Sequence, residues 1–536
     1  MPPTPSPLEK ALTAHQSGDL AEATRIYREI LAAEPQHPDA LHMMGIIARQ
    51  KGNNDLALKL IEGALAKRMA MPLAWYNRSV ILRILNRNEE ALQSAEQAVY
   101  FDPNMAEAWD MAGYLLREKK EFERARTYHA QAVALEPENL KFLSNYAMLL
   151  QVTGELAEAY AVMSKIERRN ADGLLHTMGN VLIAAGYPDR AISYFQQSRQ
   201  LVKDNRDLSG SEAMARLQSG DFEEGWRIWE MRRDLNDKFI SIPMWNGAPI
   251  NHLLLHEDQG LGDTLQCVRY IADLRKLAKN ISFQGPHFLK ELITYSYPDI
   301  TYVTDEEPIP AADARIRLLS LPAIFKTNSK NILPRVPYIK VREDWRPQWR
   351  DRLASIPKPH IGIVWGGNPN HMNDRLRSIP FADFAPIIEI GKSHIISLQK
   401  GGHREKVDLS GTEIFDADPF LNDFTNTAGL MAELDLLISV DTATVHLAGA
   451  MGIPTWLLLP FDPDWRWLLA REDSPWYPSV RIFRQHTPRT WPEVITRVTT
   501  ELNKFLSGNI GVLKPKRWEG KNARHNPHAI ALPEAT

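Results

Sequence analysis

The sequence predicts a multidomain chain: an all-α repeat array followed by an α/β region with two doubly wound lobes. Three observations predict it. Alanines recur every 34 residues between residues 23 and 159. That period fails near residue 236, where Pro243, Gly247 and Pro249 cluster. Beyond it, short apolar runs alternate with helical stretches, the pattern of parallel sheets.

The bulk numbers agree. A chain of 536 residues is too long for one hydrophobic core. Its net charge of -3 gives no basic field for nucleic acid or anionic lipid. The single cysteine, Cys267, excludes an intramolecular disulfide and fits a reducing compartment. The start lacks an apolar signal core, and no stretch reaches the roughly 20 apolar residues of a membrane span. The expectation is a cytoplasmic protein with no membrane span and no nucleic-acid partner.

In the first half Ala23, Ala57, Ala91, Ala125 and Ala159 keep one phase, the period of a tetratricopeptide repeat. Gly18, Gly52 and Gly154 keep another, as do Pro35, Pro103 and Pro137. Leu41, Trp75, Trp109 and Leu143 open the units. Small residues let antiparallel helices approach, glycine suits the turn between them, and proline ends the second helix. Gly179, Gly186 and Ala191 continue the pattern two residues out of step, and Gly220 and Gly225 repeat the glycine-to-alanine spacing. The reading is about six or seven repeats over 1–235, followed by a linker at 236–251. Such arrays bind proteins on a concave face and rarely catalyse.

Candidate strands in the second half are 252–257, 281–284, 300–304, 314–321, 360–366, 394–399, 434–440, 454–460 and 480–484. They fall into a short first lobe, 252–345, and a second, 358–507. Pro334, Pro337, Pro347, Pro357 and Pro359 mark a hinge between them. Ligands of such sheets bind at the carboxyl ends of strands. Residues 508–536 have no period and read as a disordered tail.

Three loops carry candidate chemistry. In HEDQGLGDTLQCVRY, Gly260 and Gly262 lie between a strand and a helix. Asp263 is then either a helix N-cap or a general base for an acceptor hydroxyl. In GGNPNHMNDRLRSIP, Arg375 and Arg377 suit bidentate phosphate contacts or form a solvated basic loop, with Asn373-Asp374 as a turn. In SVDTATVHLAGAMGIP, the N–H groups of Ala443, Thr444 and Val445 start a helix, a natural phosphate site. Asp441 would sooner meet a sugar or ribose hydroxyl. Asp441 and Thr442 are equally N-cap candidates, and His446 a packed helical histidine. No metal or nucleophile motif is present; Asp416-Ala417-Asp418 and Asp462-Pro463-Asp464 have D-x-D spacing and read as turns.

Together QGLGDTLQCVRY, IGIVWGGNPNHMNDRLRSIP and DTATVHLAGAMGIPTWLLLP resemble the family 9 glycosyltransferases, the group of the ADP-heptose:lipopolysaccharide heptosyltransferases. The resemblance covers about 250–505. It extends to the branch fused to tetratricopeptide repeats through DPDWRWLLAREDSPWYPSVRIFRQ. It implies a GT-B fold with the nucleotide-sugar donor on the second lobe and inversion at the anomeric carbon; with no metal motif in the sequence, the expectation is no metal and no cofactor beyond that donor. It implies Asp263 as base, Thr442 and Ala443 as amide donors to the diphosphate, and Asp441 beside the donor sugar. The donor-binding set expected is Gly260, Gly262, Asn368, Arg375, Arg377, Gln399, Asp441, Thr442, Ala443 and His446. The chain departs from the family at Ala443, where glycine is frequent, and in its short first lobe. The acceptor expected is a protein held by the repeats, a bacterial surface or flagellar protein being one candidate. The rival expectation is a repeat scaffold with an inactive GT-B domain.

Overall fold

The computed structural model describes residues 5–164, 172–201, 206–231, 238–332, 335–371, 373–520 and 523–533. Among them, fourteen helices precede the first strand, Pro7–Gln16 to Phe222–Trp229. Local chemistry starts them: Asp19 caps its helix through the Glu22 N–H (3.0 Å) and Asn53 through Leu56 (3.1 Å). Ala23, Ala57, Ala91, Ala125, Ala159 and Ala191 are all fully buried where paired helices meet. The turn residues Gly18, Gly52 and Gly154 have positive φ; Asn86 and Lys120, in the same 34-residue phase, adopt it without being glycine.

Two compact units divide between Thr177 and Met178. One holds Met1–Thr177 with the residues from Leu532; the other holds Met178–Ala531. The last repeat helices therefore group with the sheets, not with the array that the sequence predicts to run to residue 235. Leu217, Phe222, Trp226 and Trp229 lie in one core with Leu253 and Leu265. The Trp226 indole N–H donates to Thr327 O (2.9 Å). Residues 232–235 of the predicted array lie outside the described residues.

Among the described residues, the α/β unit contains two all-parallel sheets. β1 (Ile250–His256), β2 (Ala278–Gln284), β3 (Thr301–Val303) and β4 (Ala314–Arg317) have the order β3-β2-β1-β4. β5 (Ile361–Val364), β6 (Ile395–Ser397), β7 (Phe415–Asp416), β8 (Leu436–Val440), β9 (Thr455–Leu459) and β10 (Val480–Arg484) have the order β10-β9-β8-β5-β6-β7. The second is a doubly wound order that reverses between β5 and β8, and the first reverses between β1 and β4. Alternate residues of β8 and β9 face two cores: Leu437 and Leu457 one, Ile438 and Leu458 the other. Both faces of the second sheet are thus covered.

Three expectations need correction. The predicted linker is packed. Pro243 O accepts from the Arg315 N–H (2.8 Å), Trp245 donates back to Arg315 O (2.8 Å), and Ile250–Asn251 already belong to β1. Residues 236–237 lie outside the described residues. The predicted strand 314–321 stops at Arg317, because Pro322 favours the helix Leu321–Ile324 that follows a 3-10 turn. The predicted disordered tail is held where it is described. Ile510–Leu513 forms a 3-10 turn, the Asn526 N–H donates to Gly186 O (2.8 Å), and Ile530 N–H to Ala185 O (3.1 Å). Residues 521–522 and 534–536 lie outside the described residues, as does Pro334 of the predicted hinge.

Candidate functional site

The glycine loop after β1 ends in the helix Leu261–Cys267, and the loop after β8 ends in the helix Ala443–Met451. These two helices pack together. A Cβ on Gly262 would lie 2.7 Å from His446 Cδ2, so only glycine permits this approach. The carboxyl ends of the central strands of both sheets therefore meet, with Asp263, Asp441 and His446 close to one another.

Asp263 has both oxygens engaged. Oδ2 accepts from the Gly260 N–H (2.8 Å), a capping interaction at the helix start. Oδ1 pairs with Arg466 Nη2. Arg466 is almost fully buried, and its Nη1 also reaches Asp464 (2.9 and 3.0 Å) while Nε donates to Gln266. One guanidinium thus joins a carboxylate of the first sheet's loop to one of the second's. Asp441 Oδ2 accepts from the Trp467 indole N–H (2.9 Å), and Oδ1 stands 4.0 Å from His446 Nε2. Burial pushes the Asp441 carboxyl up to about 6, helped by the charge of Asp464 and opposed by the Trp467 bond and Arg377. His446 is buried, shares a 2.8 Å hydrogen bond with Tyr477 OH and stacks on Trp467 at 5.5 Å. Burial holds its imidazole well below the ordinary range, so it is neutral.

Thr442 is the N-cap of its helix in extended conformation (φ -143, ψ 170), without a side-chain capping bond. Its Oγ1 is buried and unpartnered, and among the described residues the N–H groups of Ala443 and Thr444 have no hydrogen-bond partner. These are the donors a helix start offers an anion. In the loop after β5, Gly367 lies under Arg377, where a Cβ would come within 2.6 Å of Nη2. Arg375 and Arg377 share the short helix Asp374–Arg377. Asp374 is committed to His403 (2.7 Å) and the Ser378 hydroxyl (2.7 Å).

Of the other predicted donor residues, Gln399 is committed within its own loop and Asn368 makes one local bond. Gln399 Oε1 accepts from the Trp365 (2.9 Å) and Gly366 (2.8 Å) N–H groups, while Nε2 donates to Gly366 O and Lys400 O (both 3.0 Å). Its four hydrogen-bonding positions are filled, so it shapes the loop and has none left for a donor. Asn368 Oδ1 accepts from the Asn370 N–H (3.0 Å), the geometry of an Asx turn. Sequence reasoning missed Arg466, Trp467 and Tyr477. The cluster of Trp465, Trp467, Trp476 and Tyr477 behind β9 was the available signal. The D-x-D pairs are tied up: Asp416 with Arg404, Asp418 with Lys400, and Asp462 with Gln218. Among the described residues no group of three or more His, Cys, Asp or Glu could hold a metal ion. No helix among them is long and apolar enough to cross a membrane.

The N-terminal region carries tetratricopeptide repeats: residues 42–106 and 106–139 match models of that repeat. Over a longer span the chain is similar to protein FlbA of Caulobacter vibrioides, 24% identical over 444 residues, 69% of this chain and 74% of that one. Among solved structures, a tetratricopeptide repeat protein from Parabacteroides merdae is 18% identical, with a TM-score of 0.36, over 44% of this chain and 94% of its own. PilF of Pseudomonas aeruginosa is 19% identical, with a TM-score of 0.35, over 38% and 93%.

Proposed function

We propose that the chain is an inverting, metal-independent glycosyltransferase of GT-B type. It would move a sugar from a nucleotide-sugar donor to a hydroxyl of a protein captured by the repeats. The observation that carries this reading is the meeting of two sheet switch points, with free amides at Ala443 and Thr444 beside a buried acidic cluster. The diphosphate would lie on those amides, with Arg377 balancing charge that develops on the leaving group. Asp441 would face the donor sugar. Asp263 would be the base, provided Arg466 releases Oδ1 as substrate enters. Repeat binding would raise the local acceptor concentration to roughly the mM range, so weak capture would suffice.

The test is nucleotide release by the purified chain given donor and acceptor. Asp263→Ala is expected to lower turnover by about 100- to 10,000-fold while donor affinity is kept. Near-normal transfer by Asp263→Asn would return this residue to a capping and bridging role. A second reading, a scaffold with an inactive transferase domain, is favoured by one fact: both Asp263 oxygens are occupied. On that reading the chain binds donor and releases no nucleotide.

A further inference from the structure

The last repeat helices do more than join the core of the sheet unit. The loop after β9 runs through Asp462, Pro463 and Asp464 into the 3-10 turn Trp465–Trp467. Neighbouring residues of that turn grip both candidate carboxylates. Arg466 pairs with Asp263, and the Trp467 indole N–H donates to Asp441 (2.9 Å). Asp464 caps the turn through the Arg466 N–H (3.0 Å) and also holds the Arg466 guanidinium. A shift of the turn therefore pulls on Asp263 and Asp441 together. Two residues of the last repeat fix where the turn sits. Gln218 ends the helix Arg206–Gln218 and is almost fully buried. Its Nε2 donates to Asp462 Oδ1 (3.0 Å) and to Pro463 O (2.9 Å). Trp226 meets Trp465 edge to face with centroids 5.0 Å apart, and Arg466 Cζ lies 4.3 Å from the centroid of the Trp465 ring. All these residues belong to the unit Met178–Ala531.

We propose that Gln218 is a positioning residue for the candidate site: it holds the loop whose following turn aims Asp263 and Asp441, which makes the last repeat a working part of the transferase. An apolar side chain could pack at this helix end, but it could not orient the loop. Two hydrogen bonds from one amide, to a side chain and to the next carbonyl, set both the place and the direction of the segment. Precision of this kind matters at a reacting group, where a misplacement of about 1 Å can cost roughly 100-fold in rate. The chemistry of the proposal rests on the transferase reading; the chain of contacts from Gln218 to the carboxylates does not.

The test uses the full chain with 15N-labelled tryptophan indoles, the signals of Trp467, Trp349 and Trp491 being assigned by Trp467→Phe, Trp349→Phe and Trp491→Phe. Gln218→Met keeps the side-chain length and removes both donated bonds. It should keep its helical circular dichroism and move the Trp467 signal, while Trp349 and Trp491, in the two hydrophobic cores, stay in place. Gln218→Glu sets a carboxylate against Asp462 and should move the Trp467 signal further. Gln218→Glu/Asp462→Asn reverses donor and acceptor and should bring it back toward the wild-type position. In nucleotide release with donor and acceptor, Gln218→Met should lower kcat at least about tenfold with the donor KM within about twofold. The proposal is overturned by an unmoved Trp467 signal in the folded variants, by all three signals moving together, or by an unchanged kcat. A wild-type chain that releases no nucleotide counts against the transferase reading, and the indole spectra then decide the positioning on their own.

Discussion

Arg466 and Asp441 are polar groups taken out of water, and their partners differ. Arg466 has carboxylates from two loops, so its charge is matched. Asp441 has an indole N–H and a neutral imidazole nearby, so its charge is under-compensated. The consequence can be signed. Its folded-state pKa, about 6, lies above its ordinary value near 3.9. The native state then holds the proton longer than the unfolded one, and stability falls as pH rises through that window. Asp441→Asn should raise the melting temperature at pH 7.5 and raise it less at pH 4.5. An equal change at both pH values would remove burial as the cause. The sequence located Asp441 and Asp263, because strand-end loops rich in Gly, Asp and Thr are legible as such. It did not yield the roles of Gln399 and Arg466. Gln399 acts on amides 33 and 34 residues away, and Arg466 on a carboxylate 203 away. No local pattern encodes those distances.

At the scale of elements, the repeat phase was legible because one position recurs with one physical job. Even Asn86 and Lys120 keep the left-handed turn that glycine provides elsewhere. Most strands were legible as apolar runs; the two-residue β7 was too short to stand out. The described tail escaped because its order comes from backbone bonds to Gly186 and Ala185, which leave no periodicity. The decisive element contact is Gly262 against His446. Gly262→Ala should push the helices Leu261–Cys267 and Ala443–Met451 apart, costing about 1–3 kcal/mol by overpacking. Chemical denaturation would read this as a lower midpoint. An unchanged midpoint would mean the contact yields freely and does not fix the two loops.

For the whole molecule, the boundary between units matters more than the boundary between repeat and sheet. The tryptophan face of the helix Phe222–Trp229 belongs to the sheet unit's core, and Asn526 Nδ2 donates to Phe461 O (3.2 Å) in the same unit. A fragment of residues 178–533 should therefore melt cooperatively, whereas 236–510 should expose apolar surface and melt lower or aggregate. Differential scanning calorimetry of the two fragments checks this; equal melting would make the last helices dispensable. The central claim concerns the amides of Ala443 and Thr444, and thermal shift of the full chain against nucleoside diphosphates and their sugars tests it most directly. At 100 times its dissociation constant the correct ligand should add about 2.7 kcal/mol to the unit that binds it, a clear rise in its transition. If no nucleoside diphosphate or nucleotide sugar moves that transition at millimolar concentration, the donor-binding account is wrong.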